Sequence, residues 1–150
     1  MSVIWIVNQY ASTPATGMGG RHHYFARELA AQGHQVRLIA ASWHHLLRDG
    51  EASEFAPPVE RVDGYDFVRI PTPRYAHAHD KRRVLNWLLF AWRLAQLDRR
   101  LPERPDVIMC SSPPLFAFLG AALLARRLGA RLVFEVRDIW PLTLVAVGQY

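Results

Sequence analysis

SVIWIVNQYASTPATGMGGRHHYFARELAAQGHQVRLIA, residues 2–40, is the stretch on which the fold turns. Val3–Val7 is a short unbroken apolar run, the pattern of a strand covered on both faces. Gln9–Gly20 follows as a loop holding Pro14, Gly17, Gly19 and Gly20, residues that interrupt regular structure. From Gly20 to Gln32, Tyr24, Phe25, Leu29 and Ala30 recur at helical spacing, and Gly33 closes the helix as its cap. Val36–Ala40 is a second apolar run. Strand, helix and strand within about forty residues make a βαβ unit, the seed of a parallel sheet.

Outward from that unit the alternation continues. Residues 42–58 carry no regular pattern. ERVDGYDFVRI, residues 60–70, sets Asp63-Gly64 between two β-prone arms, which signals a hairpin ended by Pro71 and Pro73. A helix is expected over Lys81–Leu101 and a strand over Asp106–Cys110. Pro113 and Pro114 open a helix to Leu128 under a Gly129 cap, and Arg131–Val136 is a further strand. Asp138-Ile-Trp-Pro starts a turn into a last helix, cut short soon after it begins, as in an excised domain. The expected fold class is α/β: a doubly wound, mainly parallel Rossmann-like sheet with helices on both faces.

The chain's 150 residues suit one domain, and its apolar share of 51% is enough for a sizeable core. A formal net charge of +5 favours anionic partners such as nucleic acid, anionic lipid or phosphorylated small molecules. Cys110 is the one cysteine, which excludes an internal disulfide and suits a reducing cytosol. The N-terminal run lacks the basic lead and cleavage site of a signal peptide. PPLFAFLGAALLA, residues 113–125, is too short to span a bilayer. A soluble chain that can touch a membrane is expected.

In such sheets ligands bind beyond the carboxyl ends of the strands. TGMGGRHHYF, residues 16–25, falls there. Glycines admit close approach to the backbone, and a helix start offers free N–H groups and positive dipole to phosphate. Arg21 adds a full charge. A purely structural turn fits the same residues. The spacing G-M-G-G is not the dinucleotide GxGxxG, and no P-loop lysine follows.

NQYASTPATGMGGRHHYFARELAAQGHQVRLIAAS, KRRVLNWLLFAWRL, PDVIMCSSPPLFAFLGAALLARRLGARLVFEVRDIW and FEVRDIWPLTL together span nearly the whole chain. In that order they resemble the start of GT-B glycosyltransferases of family 4, retaining and nucleotide-sugar dependent, and more narrowly their bacterial surface-polysaccharide branch. The resemblance implies one half of a GT-B fold, with residues 1–150 as the acceptor-side domain. The second Rossmann-like domain, which grips the nucleotide-sugar in relatives with a pair of glutamates, is expected to be absent from this chain, and the chain alone inactive. Gly19 and Gly20 match the glycines that lie against the donor diphosphate, with Arg21 beside them. Glu135, Arg137 and Asp138 occupy the catalytic segment where donor sugar and acceptor meet. Arg137 stands where many relatives have histidine, and implies a bidentate grip on a phosphate or acceptor anion. By position alone, one turn inside the helix start and at a strand's carboxyl end, His22, Ser111 and Ser112 are expected at the acceptor cleft. The implied donor is a nucleotide-diphosphate sugar, with no cofactor and no metal required. The implied acceptor is a lipid-linked or polysaccharide-precursor sugar, reached at the inner face of the cytoplasmic membrane by a peripheral cytoplasmic protein.

KRRVLNWLLFAWRLAQLDRR, residues 81–100, has six basic residues and one acid. Val84, Leu88, Ala91, Trp92 and Ala95 form one apolar row; Trp87, Phe90, Leu94, Leu97 and Leu101 form another. Asn86, Arg93, Gln96 and Arg100 make the polar strip. An arc this wide fits a helix whose Trp87 and Trp92 enter a lipid interface while Lys81, Arg82 and Arg83 attract anionic headgroups. It equally fits a helix buried between the sheet and a partner domain.

Seven histidines are present. His-Ala-His-Asp at 77–80 lacks a second cluster with zinc-like spacing and reads as a solvated loop. His34 reads as a surface turn residue and Cys110 as packing. Of His22 and His23, one reaches the cleft and the other packs or faces water. Two further function classes stand beside the transferase: a non-catalytic basic α/β module docking on a membrane or partner, and nucleic-acid binding through the positive face, which lacks any recognised motif.

Overall fold

The computed structural model describes residues 1–48, 58–75 and 81–137. The turn and helix expected after Arg137, and His77 and His79, lie outside them. A six-stranded sheet has the order β3-β4-β2-β1-β5-β6. Its strands are β1 (Val3–Val7), β2 (Gln35–Ala41), β3 (Val59–Val62), β4 (Tyr65–Ile70), β5 (Val107–Ser111) and β6 (Arg131–Glu135). All neighbours are parallel except β3 and β4, which are the antiparallel arms of the Asp63-Gly64 hairpin. Asp63 and Gly64 both have positive φ, as a tight primed turn requires. The expected α/β, mainly parallel sheet is the observed one.

Three helices join the parallel strands: α1 (Gly20–Ala31), α2 (Arg82–Leu94) and α3 (Leu115–Leu128). Right-handed crossovers place α1 on one face and α2 with α3 on the other. The strand side chains divide accordingly. Trp5, Val7, Ile39, Ala41, Val68, Ile70 and Ile108 share a core with Phe90 and Leu94 of α2 and Ala117, Ala121 and Leu124 of α3. Ile6, Leu38, Ala40 and Phe67 share the other with Ala26 of α1. Burial on both faces is what the unbroken apolar runs encode. Burying a side chain such as Trp5 or Phe90 contributes roughly 1.5–3 kcal/mol, against at most about 1 for an exposed ion pair such as Arg61–Asp66. The two cores therefore hold the sheet.

Helix ends and faces depart from expectation in three places. The helix expected to reach Leu101 stops at Leu94, and Leu97–Arg99 is a short 3-10 turn. Arg127 of α3 takes the Ala95 carbonyl and the Asp98 carboxylate, which ties down that exit. Asn86, expected on the polar strip, is fully buried. It accepts from Gln9 Nε2 at 2.6 Å and donates to the Pro73 carbonyl at 2.9 Å, so its polar atoms are satisfied in the core. On α1, Tyr24 and Phe25 are exposed while His22, His23 and Ala26 are buried.

Helices α2 and α3 run parallel and touch closely at Gly120. A Cβ there would drive into the Ala91 carbonyl oxygen. Glycine at that position sets the distance between the helices.

Candidate functional site

The loop after β1 is built around Ser12. Gly17 lies so close to the Ser12 side chain that a Cβ would overlap it. Ser12 Oγ in turn accepts the Gly19 N–H at 3.2 Å. The Gly20 N–H donates to the Met18 carbonyl at 2.7 Å. Gly19 and Gly20 have φ of +66° and +69°, a left-handed conformation that excludes most other residues. The amides expected to lie bare at these glycines are therefore engaged inside the loop. The open donors move one step on. An α-helix leaves its first N–H groups without intrahelical partners. No partner outside the helix is recorded for the amides of Arg21 and His22 among the described residues.

Three chain segments meet at that helix start. Arg21 Nη2 lies 2.5 Å from Glu135 Oε1 at the end of β6. Ser111 Oγ, at the end of β5, donates to Glu135 Oε2 at 2.5 Å. His22 Nε2 lies 2.9 Å from Ser111 Oγ and 3.6 Å from Glu135 Oε2. Since the serine proton goes to the carboxylate, His22 Nε2 must carry its own proton and donate, which leaves Nδ1 as the acceptor. Burial, then the positive charges of Arg137 and Arg21, lower the His22 pKa to about 4, with Glu135 opposing. His22 is thus a neutral donor at neutral pH. Ser112 Oγ accepts the Arg137 N–H at 2.9 Å, and the Ser112 N–H donates to the Glu135 carbonyl at 2.9 Å. These bonds fix the chain as it leaves β6.

The structure thus brings together Arg21, His22, Ser111, Ser112, Glu135 and Arg137. They lie at the carboxyl ends of β5 and β6 beside the start of α1, where the strand order switches direction between β1 and β5. That is the usual ligand crevice of an open α/β sheet. Asp138 lies outside the described residues. His23 is not in the cluster: it faces the opposite way, 2.8 Å from the Tyr65 hydroxyl, and burial lowers its pKa. Cys110 is buried, and its thiol is pushed up to about 12 by burial, which suits packing. His34 Nδ1 accepts the Ser2 N–H at 3.2 Å.

Sequence reasoning missed a neighbouring aromatic group. Tyr10 packs edge-on against His44 and His45, and its hydroxyl accepts Trp87 Nε1–H at 2.7 Å. His44 is buried and close to the Ala11 carbonyl, and burial lowers its pKa to about 4. No periodic signal marks these residues, since they stand in irregular segments. Trp87, expected at a lipid interface, is half-buried and stacks on Phe116, with Arg83 above its ring. Trp92, Lys81 and Arg82 are exposed. No group of histidine, cysteine, aspartate or glutamate able to hold a metal occurs among the described residues. No described helix is long and apolar enough to cross a membrane.

The comparisons agree with this architecture. No curated protein matches the chain. Among solved structures, the C-terminal domain of the PF1911 hydrogenase from Pyrococcus furiosus is similar in fold, with a TM-score of 0.55 at 13% identity over 89% of this chain and 91% of that one. At that identity the likeness speaks for the fold alone. The profile of the Glycosyl transferase 4-like domain matches residues 16–149, from the glycine loop onward. With that span matched, the chain belongs to the Glycosyl transferase 4-like domain family.

Proposed function

We propose that this chain is the acceptor-side half of a retaining glycosyltransferase that moves a sugar from a nucleotide-diphosphate donor to a lipid-linked or polysaccharide-precursor acceptor. The single observation that supports it is the Arg21–Glu135–Ser111–His22 cluster, assembled from three segments at the strand-end crevice. Its chemistry suits a leaving diphosphate. Arg21 and Arg137 supply fixed positive charge, and the amides of Arg21 and His22 point their dipoles along the start of α1. Asp138 follows in the same segment as a substrate-orienting group. A donor bound by a second domain would face this wall, so the isolated chain binds without transferring. No metal is needed where arginine and helix dipole oppose the growing charge.

Glu135 presently occupies Arg21. The bridge is half-exposed on the arginine side, so opening it costs only about 1 kcal/mol or less. A hydrogen bond to a charged phosphate contributes about 1.5–3 kcal/mol. A diphosphate therefore competes with Glu135 for Arg21.

The test is a titration of the chain with a nucleoside diphosphate, followed through its amide resonances. Shifts centred on Arg21 and His22 are expected, and Arg21→Ala should weaken binding about tenfold, the loss of one charge-assisted bond. Shifts elsewhere, or an unchanged affinity in the variant, would reject the site; sugar transfer by this chain alone would reject the half-enzyme reading. The other reading, a docking module without catalysis, draws on the exposed apolar face of α2 and predicts no nucleotide binding.

A further inference from the structure

We infer that Glu135 is a tethered stand-in for phosphate: its carboxylate holds the anion-binding groups of the crevice, weakens the grip on a diphosphate, and returns to eject it. The inference rests on the transfer reading and adds a regulation of that same site. Three donors from three segments converge on this one side chain. Arg21 Nη2 lies 2.5 Å from Oε1, Ser111 Oγ lies 2.5 Å from Oε2, and His22 Nε2 lies 3.6 Å from Oε2. An arginine fork recognises carboxylate and phosphate oxygens by the same geometry, so groups that close on one acid fit the other.

Three features make the contact an exchangeable one. Solvent reaches it: the Arg21 side chain is 49% exposed and that of Glu135 20%, so the pair opens at small cost. The main chain need not move. Glu135 is the last residue of β6, an edge strand paired only to β5, and its carbonyl accepts the Ser112 N–H at 2.9 Å while Ser112 Oγ accepts the Arg137 N–H at 2.9 Å. Those bonds hold the backbone while the carboxylate rotates. A second counter-ion is also at hand. Arg137 is two residues on, near enough for its charge to act on His22, and can receive the freed carboxylate.

One rotation then changes three groups together. The Arg21 guanidinium loses its partner, the Ser111 hydroxyl loses its acceptor, and the His22 Nε2–H is no longer beside a carboxylate. All three become donors for the entering phosphate. On departure the order reverses, and the returning carboxylate competes with the product for Arg21. Release of product limits many enzymes, and a tethered competitor hastens it.

The probe is inorganic pyrophosphate, which presents a diphosphate alone, titrated into the full chain. Glu135→Gln should tighten binding about threefold to tenfold, by removing one exposed ion pair and one like-charge contact, and mostly through slower release. In the parent chain the carboxyl carbon resonance of Glu135 should move as pyrophosphate enters, a reading that needs no variant. Glu28→Gln removes the same charge from the exposed Arg27–Glu28 pair of the same helix and should leave the affinity unchanged. In an Arg21→Ala background, Glu135→Gln should lose most of its gain, since the two residues act on each other. Four results would overturn the inference: weaker or equal binding in Glu135→Gln, a carboxyl carbon that stays still, an equal gain from Glu28→Gln, or a full gain without Arg21. In each of these the crevice itself stands as long as Arg21→Ala still weakens binding. Parent and Glu135→Gln chains that both fail to bind pyrophosphate would reject the site along with its stand-in.

Discussion

Glu135 is the residue through which the crevice is connected. Its two carboxylate oxygens face different partners: one the Arg21 guanidinium, the other the Ser111 hydroxyl. Through Ser111 and directly, it also acts on His22, where it opposes the effect of burial. Glu135→Gln removes that opposition, so the His22 pKa is expected to fall below about 4. The imidazole resonances of His22, followed against pH, read this directly; a rise would contradict the geometry. The sequence pointed to Arg21, His22 and Ser111 by their places at the helix start and strand end, and to Glu135 through its family resemblance, each separately. Their pairing was not legible, because Arg21 and Glu135 are distant in the chain and meet only once β1, β5 and β6 are aligned. The closing of the Gly19 amide by Ser12 was hidden for the same reason. Nothing in the spacing of Ser12 and Gly17 announces that one glycine exists to admit a serine side chain, which then satisfies the amide of another.

At the scale of elements, the strands were readable and the helix faces only in part. β1, β2 and β5 lie inside a parallel sheet covered on both sides, so their apolar runs have no competing explanation. The Asp63-Gly64 turn was equally explicit. Helix α2 misled because its buried face includes Asn86, which is stable there only through Gln9 and the Pro73 carbonyl. Helix α1 misled because His22 and His23 face inward toward Ser111 and Tyr65 while its aromatics face outward. A hydrophobicity pattern cannot register a polar residue whose partner is supplied by another element. The α2–α3 contact shows the converse, a small residue whose importance is steric. Gly120→Val would force the Ala91 backbone away and is expected to destabilise the chain by about 1–3 kcal/mol, the usual cost of overpacking. Urea unfolding of the variant measures it. Gly129→Ala is the useful comparison: that glycine has φ +68° but open space around it, so its cost comes from backbone conformation rather than overlap.

Among its described residues the molecule buries His22, His23 and His44, imidazoles that the unfolded chain exposes, and this couples its stability to pH; His22 and His44 carry the large shifts. Burial is the largest cause for both His22 and His44, and each is lowered from 6.5 to about 4. Both are bases, so the folded state keeps them neutral over a range in which the unfolded state takes up protons. Above about pH 6.5 neither state is protonated at these sites and their effect is constant. As pH falls from 6.5 toward 4 the unfolded chain binds protons first, and stability declines. The full shift corresponds to roughly 3 kcal/mol per histidine, a large fraction of the 5–15 kcal/mol typical of a domain. His22 and His44 are in separate clusters, so their effects should add. The urea midpoint is therefore expected to drop well before the carboxylates titrate, between about pH 6.5 and pH 5. His44→Gln separates the two contributions: the variant should be weaker at pH 7, where the Ala11 contact is altered, yet lose less on acidification than the parent. A midpoint that holds level across that window in the parent chain would mean that the imidazoles reach solvent in the folded state, and with it the neutral His22 donor in the crevice would be lost.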